Sequence, residues 1–393
     1  MCRLKILSVI PSVNPQSGGP TEGLLRIASH LQAMGHCIEI ATVDEPSSEW
    51  VANCPIKVHA CGPAAGTFGA CPRLLSFLET NRNRYDEFIV EGLWTYHAYA
   101  AWKAFGRGRY SIWTHGMLDP YFKRAYPLKH IKKVAYWLLV QGKVINDARH
   151  VLFTTQEEMV LAAQSFRPYR ANGVVLGYGT DTPTGNPGAQ RAAFSKAFPD
   201  AIGGRNLLFM SRIHEKKGLD LSIRAFANVF ANQPDFRLIV AGDGSASLKA
   251  DLRALAESLG ISSRVIWTGL LQGDLKWGAF RSSEALVLNS HQENFGVAIA
   301  EALACGLPVM ISNRINLWRE VEGSQAGFVA ADTESGAVEV FEKWNSLDAK
   351  QREEMSRRAM ACFQESFEMR KVAGRLADLL GSPGLSDGAV ATS

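Results

Sequence analysis

The chain has 393 residues, and at roughly 150 residues per domain this length sets an expectation of two to three domains. With 47% hydrophobic and 20% charged residues the composition is that of an ordinary globular protein, which excludes a disordered acidic chain, a collagen-like repeat and a disulfide-stapled miniature. Lys and Arg number 42 against 38 Asp and Glu; the resulting +4 is too small to make nucleic acid the main partner, because phosphate-backbone binding needs basic charge concentrated on one face.

The chain opens with a short apolar run, Lys5–Pro11, shorter than the core of an export signal, which reads as a first strand. Helix Thr21–Met34, strand Cys37–Val43, strand Glu87–Val90, helix His97–Phe105 and strand Tyr110–Thr114 follow. From Lys123 to Lys143 there are six basic residues (Lys123, Arg124, Lys129, Lys132, Lys133, Lys143) and no Asp or Glu, interleaved with Tyr126, Tyr136 and Trp137. Such a stretch fits docking on an anionic membrane face. The competing expectation has Ile131, Val134, Ala135 and Leu138 packing on the sheet. The longest clean apolar run here, Val134–Val140, is far short of the ~20 residues of a spanning helix.

Asp181–Gly204 has linker composition, with Pro183, Pro187 and Pro199 among Gly185, Gly188, Gly203 and Gly204 around one short helical turn near Arg191–Phe198. A second alternating series follows: strand Asn206–Met210, helix Leu219–Phe230, strand Arg237–Ala241, helix Ser247–Leu259, strands Val265–Thr268 and Ala285–Asn289, helix Gly296–Cys305 and strand Pro308–Ser312. Alternation of this kind predicts an α/β protein with two βαβ domains. The expected division is a first domain over 1–180, a linker over 181–204, a second domain over 205–362, a C-terminal helix over 363–380 returning to the first domain, and a disordered tail over 381–393. Seven cysteines, odd in number and without a C-x-x-C, suggest reduced thiols and a cytoplasmic protein.

There is no Walker loop, and Gly242-Asp243-Gly244 reads as a plain strand-to-helix turn. The informative stretch runs from Ser290 to Val309. Glu293 lies in a loop before a helix that opens near Gly296 and stops at Gly306 before Pro308, and Glu301 lies more than a turn inside, roughly 8–12 Å away at ~1.5 Å per residue. The amides of Phe295, Gly296 and Val297 mark a helix N-terminus, which favours anions, and two carboxylates beside it can accept hydrogen bonds from paired hydroxyls. A nucleotide diphosphate-sugar needs all three features. The bland alternative makes Glu293 a helix-dipole carboxylate and Glu301 a solvated helix residue.

Glu293 and Glu301, with Phe295-Gly296 and the run Glu301–Pro308, resemble the E-x7-E signature of retaining glycosyltransferases of the GT-B fold, family 4 (group 1). Phe209–Asp220, which includes Arg212 and Lys217, is similar to the same family's strand-turn segment. Gly92-Leu93-Trp94 and Thr114–Pro120 resemble acceptor-domain segments of bacterial polysaccharide-assembly members, and Gly18-Gly19-Pro20-Thr21 resembles the family's glycine-rich loop. The similarity covers residues 1 to about 380, sparsely between Glu45 and Asp86. Gln292 and Asn294 vary the surroundings of the first glutamate, and Gly177-Tyr178-Gly179 replaces the usual Pro-Asn-Gly.

The resemblance implies two Rossmann-like domains facing across a cleft, and transfer of a sugar from a nucleotide diphosphate-sugar to a glycan or lipid-linked glycan with retention of configuration. It implies that Arg212 and Lys217 face the donor diphosphate, where fixed cations stabilise the charge that grows as the anomeric C–O bond breaks. Glu293 would hold hydroxyls of the transferred sugar and Glu301 the ribose hydroxyls, with Asn294, Phe295, Gly296 and Val297 completing the donor site. Gly18 and Gly19 would bring backbone amides near the diphosphate. His115 would face the cleft and bond the sugar or the departing phosphate. His97, Trp94 and Asp119 lack comparable support, and His97 reads as structural or acceptor-adjacent. No cofactor and no metal are expected, since no D-x-D pair or His/Asp cluster accompanies the site. The expected location is cytoplasmic, peripheral on the inner face of the cytoplasmic membrane. Rival readings are a nucleotide-sugar epimerase of the same fold and a non-catalytic nucleotide-sugar-binding protein.

Overall fold

The structure, a computed structural model, describes residues 3–121, 123 and 127–382. Arg124 and Tyr126 of the basic stretch, and the expected tail beyond Ser382, lie outside the described residues. The chain divides into two compact units, Met1–Tyr178 with the C-terminal segment from Met369, and Gly179–Glu368.

The first unit is built on seven parallel strands: β1 (Lys5–Val9), β2 (Cys37–Thr42), β3 (Val58–Ala60), β4 (Glu87–Glu91), β5 (Ser111–Trp113), β6 (His150–Phe153) and β7 (Gly173–Val175), in the order β3-β2-β1-β4-β5-β6-β7. Helices lie between the strands, so the central strands are buried on both faces and read as apolar runs. The helix Gly19–Ala33 packs against the C-terminal helix Met369–Gly381, whose Val372, Ala373, Leu376 and Leu380 are buried. Residues 363–367, expected to belong to that helix, form a separate π turn in the second unit, with Phe363 and Phe367 buried.

The second unit has six parallel strands: β8 (Arg205–Met210), β9 (Phe236–Ala241), β10 (Val265–Gly269), β11 (Ala285–Leu288), β12 (Val309–Ser312) and β13 (Gly327–Ala330), in the order β10-β9-β8-β11-β12-β13. In doubly wound sheets ligands bind outside the carboxyl ends of the strands where the strand order reverses. That point falls between β1 and β4 in one unit and between β8 and β11 in the other.

The segment 181–204 is not a linker. Asn186 caps a helix, Pro187–Ala197, by accepting hydrogen bonds from Gly188 and Ala189, and the fully buried Phe194 anchors it to the second unit. It packs so closely on the helix Gly273–Arg281 that a Cβ on Gly278 would lie 2.3 Å from the Gln190 carbonyl oxygen. The expectation of reduced thiols is corrected too: Cys54, Cys61, Cys71, Cys305 and Cys362 are free, whereas Cys37, at the first position of β2, is disulfide-bonded.

The basic stretch forms the helix Pro127–Tyr136, the π turn Trp137–Gln141 and the helix Gly142–Asn146. Its apolar residues do not pack on the sheet as the competing expectation had them: Leu128 is 78%, Ile131 66% and Leu138 58% exposed, and Val134 and Leu139 are exposed as well, while the buried Trp137 anchors the opposite side. No described helix is long and apolar enough to cross a membrane.

Candidate active site

The loops after β8 and β11 meet at the switch point of the second unit. The first, 211–218, runs beside the loop after β9: Ser211 N–H donates to the Ala241 carbonyl (3.1 Å) and Ile213 N–H to that of Asp243 (2.8 Å). Gly242 and Gly244 make this approach possible, since a Cβ on either would lie 1.8 and 2.1 Å from the carbonyl oxygens of Ser211 and Ile213. The Gly-Asp-Gly turn thus shapes the site without carrying chemistry. Gly218 ends the loop at φ +60°, where a Cβ would meet the Asn289 carbonyl oxygen at 2.1 Å. His291 N–H donates to the Lys216 carbonyl (2.8 Å), joining the two loops.

Lys217 Nζ donates to Glu293 Oε2, with side chains 11% and 23% exposed. The backbone of Glu293 is fixed as well: its N–H donates to the Arg314 carbonyl and its carbonyl accepts from Asn316 N–H, both at 3.1 Å. Arg212, on the same loop as Lys217, is exposed and has no hydrogen-bond or ion-pair partner among the described residues. A guanidinium without a partner among the described residues, on the loop that carries Lys217, leaves one cationic charge for an incoming anion.

Gly296, at φ +78°, precedes the helix Val297–Ala304 and lets the chain turn tightly; a Cβ there would meet Ile299 Cδ1 at 2.9 Å and Glu293 Cγ at 3.3 Å. Val297 and Asn294 are half-buried, and Asn294 Oδ1 accepts from Asn316 Nδ2 (3.2 Å). The Phe295 side chain is buried edge-on against Phe367, with ring centres 5.6 Å apart, so its place in the site is structural. Glu301 is buried rather than solvated, and Oε1 accepts from Lys276 Nζ (2.6 Å). Lys276, which lies in a helix distant in sequence, had no signal that would single it out.

Arg212, Lys217, Glu293, Asn294, Phe295, Gly296, Val297 and Glu301 all belong to the second unit, whereas Gly18, Gly19 and His115 belong to the first. Gly18 (φ +91°) and Gly19 are exposed at the start of the helix Gly19–Ala33. Tyr178 OH donates to the Gly19 carbonyl (2.9 Å), and its ring meets that of His115 edge-on (6.3 Å). The Tyr178 phenol is pushed well above its usual pKa by burial. His115, at φ +47°, does not offer both ring nitrogens to a ligand: Nε2 lies 2.6 Å from Oε2 of the buried Glu91, while Nδ1 has no partner among the described residues. Its loop is anchored by the buried Glu158, which accepts from Thr114 Oγ1 (2.6 Å) and Gly116 N–H (2.6 Å). The Thr155-x-x-Glu158 helix start is the one sequence sign of that anchor. His97 is structural. It is fully buried, bonded to the Glu91 carbonyl (2.9 Å) and Thr95 Oγ1 (2.8 Å), and burial lowers its pKa to about 4.

Two Rossmann-like domains of this topology, with the cationic loop and paired glutamates at one switch point, define the GT-B class. Residues 194–361 match the family model described as Glycosyl transferases group 1, and residues 18–179 that described as Glycosyl transferase 4-like domain. The chain belongs to the group 1 glycosyltransferases. A D-inositol 3-phosphate glycosyltransferase of Acidothermus cellulolyticus is 31% identical over 159 residues, a match that spans 38% of this chain and 35% of that protein. One from Mycobacterium sp. (strain JLS) is 26% identical over 346 residues, 78% of this chain and 74% of the other. The crystal structure of Anabaena HepE in complex with UDP and glucose shares the fold, with a TM-score of 0.73 at 18% identity over 97% of this chain and all of that one.

Proposed function

We propose that this glycosyltransferase moves a sugar from a nucleotide diphosphate-sugar to a glycan or lipid-linked glycan, with retention of anomeric configuration and without a metal ion. The carrying observation is Arg212, without a partner among the described residues, on the loop that holds Lys217 against Glu293, at the β8/β11 switch point. A departing nucleoside diphosphate gains negative charge as the anomeric C–O bond breaks. Cations gathered on this loop offset that charge and lower the barrier. Lys217 turns from Glu293 to the diphosphate, which leaves the Glu293 carboxylate to accept from sugar hydroxyls, and Glu301 takes the ribose from its position beside Lys276. The UDP and glucose named with Anabaena HepE support this class of donor.

Peripheral attachment to an anionic membrane is part of the proposal. It is supported by Leu128, Ile131, Leu138 and Leu139, which form an exposed stripe flanked by Lys129 and Lys132. The enzymatic reading is tested by comparing Glu293→Ala with Glu301→Ala. Glu301→Ala should weaken nucleoside diphosphate binding by ~1–3 kcal/mol, while Glu293→Ala should reduce turnover more than nucleotide affinity. Equal loss of nucleotide affinity in both variants contradicts the division of roles, and product formed without an acceptor favours an epimerase. Transfer should persist in EDTA; activity that returns only with Mg²⁺ or Mn²⁺ contradicts the metal-free reading.

A further inference from the structure

A cavity of about 460 Å³ opens at the end of the second unit opposite the donor loops, where β11 and β12 begin. Its volume falls within the ~300–1,000 Å³ of small-molecule sites, and Phe280 and Leu307 give it an apolar wall. Three arginines from separate helices line it: Arg191 of Pro187–Ala197, Arg281 at the end of Gly273–Arg281, and Arg352 of the helix Ala349–Cys362. None of the three has an ion-pair partner among the described residues, and Arg281 engages only Nε, which donates to Gln190 Oε1 (2.8 Å).

The acidic groups at the cavity do not cancel these charges. Glu284 accepts from Arg205 through both carboxylate oxygens (2.9 and 2.8 Å), and Glu353 is exposed. Burial pushes the Cys305 thiol up to about 11, so this lining residue adds no negative charge near neutral pH. Arg281 suits the carboxyl end of its own helix, but Arg352 is the fourth residue of its helix, where the dipole disfavours a cation. Burial, and then the nearby Arg205, lower the Arg352 pKa, offset in part by Glu284 and Asp348. The Arg352 guanidinium lies 5.5 Å from the centre of the Trp344 ring. Trp344 is 1% exposed and lines the same cavity, yet neither its indole N–H nor Arg352 Nε has a hydrogen-bond partner among the described residues. Buried donors left unpaired are costly, and an acceptor bound in the cavity removes that cost.

We propose that this cavity binds the phosphoryl group of a small soluble phosphorylated compound, with Arg191, Arg281 and Arg352 around the phosphoryl oxygens and the Trp344 indole N–H as a further donor. Guanidinium forks match phosphoryl oxygens in pairs, and three of them against one exposed carboxylate suit a charge of about −1.5 to −2 better than the single charge of a carboxylate. The site is separate from the donor loops, because it lies at the amino ends of the strands, and it does not depend on the transferase reading. Two helices join the regions: Arg281 ends the one that carries Lys276, and Cys305 follows the one that carries Glu301.

The test titrates the full chain with glucose 6-phosphate by calorimetry, in the presence of excess UDP to occupy the donor loops. The wild type should bind saturably, and Arg191→Gln combined with Arg352→Gln should weaken that binding at least ~10-fold with UDP affinity unchanged, which also shows that the variant is folded. Should the double variant fail to fold, Arg191→Gln alone, at an exposed position, should weaken binding by ~3-fold or more. Arg357→Gln, on the same helix as Arg352 but outside the cavity lining, should bind as the wild type does. Absence of saturable binding by the wild type, full-strength binding by the cavity variants, or equal weakening by Arg357→Gln overturns the proposal. Glucose 6-phosphate binding without UDP binding would leave this site standing and remove the donor reading. Inorganic phosphate separates the sources: weaker binding than glucose 6-phosphate identifies a phosphorylated metabolite, equal or tighter binding a site for the phosphoryl group alone, and either supports the site.

Discussion

Arg212 and Lys217 carry the same sign on one loop, yet the structure separates what their loss should do. Lys217 is buried against the half-buried carboxylate of Glu293, so Lys217→Gln leaves a partly desolvated anion without its partner. Breaking a fully buried pair costs ~3–5 kcal/mol and an exposed pair ~0–1; at these exposures about 2 kcal/mol is expected. In a unit of this size that lowers Tm by about 4–8 °C. Arg212 is exposed and has no partner among the described residues, so Arg212→Gln should leave stability within ~0.5 kcal/mol of the wild type. In UDP binding the two should converge, each losing the ~1.5–3 kcal/mol of a charge-assisted hydrogen bond, about 10- to 150-fold in Kd. Uridine, which lacks the diphosphate, should bind Arg212→Gln as it binds the wild type. Differential scanning calorimetry and ligand titration read the two quantities. If Arg212→Gln unfolds as early as Lys217→Gln, or binds UDP at full strength, the assignment of a diphosphate site to this loop is wrong.

Gly218→Ala should destabilise the protein by about 1–3 kcal/mol and lower kcat, because φ +60° and a Cβ at 2.1 Å from the Asn289 carbonyl oxygen force the two site loops apart; wild-type melting and kinetics would refute the close approach. His97 has its pKa lowered from 6.5 to about 4, so the unfolded chain takes up the proton first. The stability held above pH 6.5 should therefore fall as pH drops toward 4, by up to about 3 kcal/mol from this one group. A denaturant series in which His97→Gln keeps the same pH slope would deny His97 that part. The charge-reversed triple variant Lys129→Glu, Lys132→Glu, Lys133→Glu should lose co-sedimentation with anionic vesicles at ~0.1 M salt, where charge is only partly screened; failure of the wild type to pellet would remove the membrane reading.

The central strands and the donor loops were legible because they leave local signals: continuous apolar runs where a strand is buried on both faces, and a glutamate pair bracketing a helix whose start and stop carry glycine. The edges were less so. β3, β7 and β13 are three or four residues long and none of their residues is fully buried, so their runs are too short to stand out; the short apolar run Val151–Phe153 of the buried β6 is passed over for the same reason. The helix Pro187–Ala197 was hidden by its composition. Asn186 followed by Pro187 is a helix start, a capping side chain before a residue that needs no donor, but the surrounding glycines and prolines made it read as a linker. The partners of Glu91 and Glu158 in the His115 loop could not be found from sequence, since they lie 24 to 44 positions away; for Glu158 only the local helix start and Thr154, four residues before it, are near in sequence. The exposed stripe Leu128–Leu139 has the spacing of a core helix, and periodicity alone does not say whether such a face meets a sheet or is left uncovered.

The donor site itself is tested most directly by thermal unfolding of the full chain with UDP-, GDP-, ADP- and dTDP-sugars. At 100 times Kd a bound donor stabilises the fold by ~2.7 kcal/mol. At least one of the four should raise Tm by that equivalent, and Arg212→Gln should abolish most of the shift at the same concentration. A wild-type protein that none of them stabilises, or a shift that survives unchanged in Arg212→Gln, would contradict a nucleotide diphosphate-sugar site at the β8/β11 switch point.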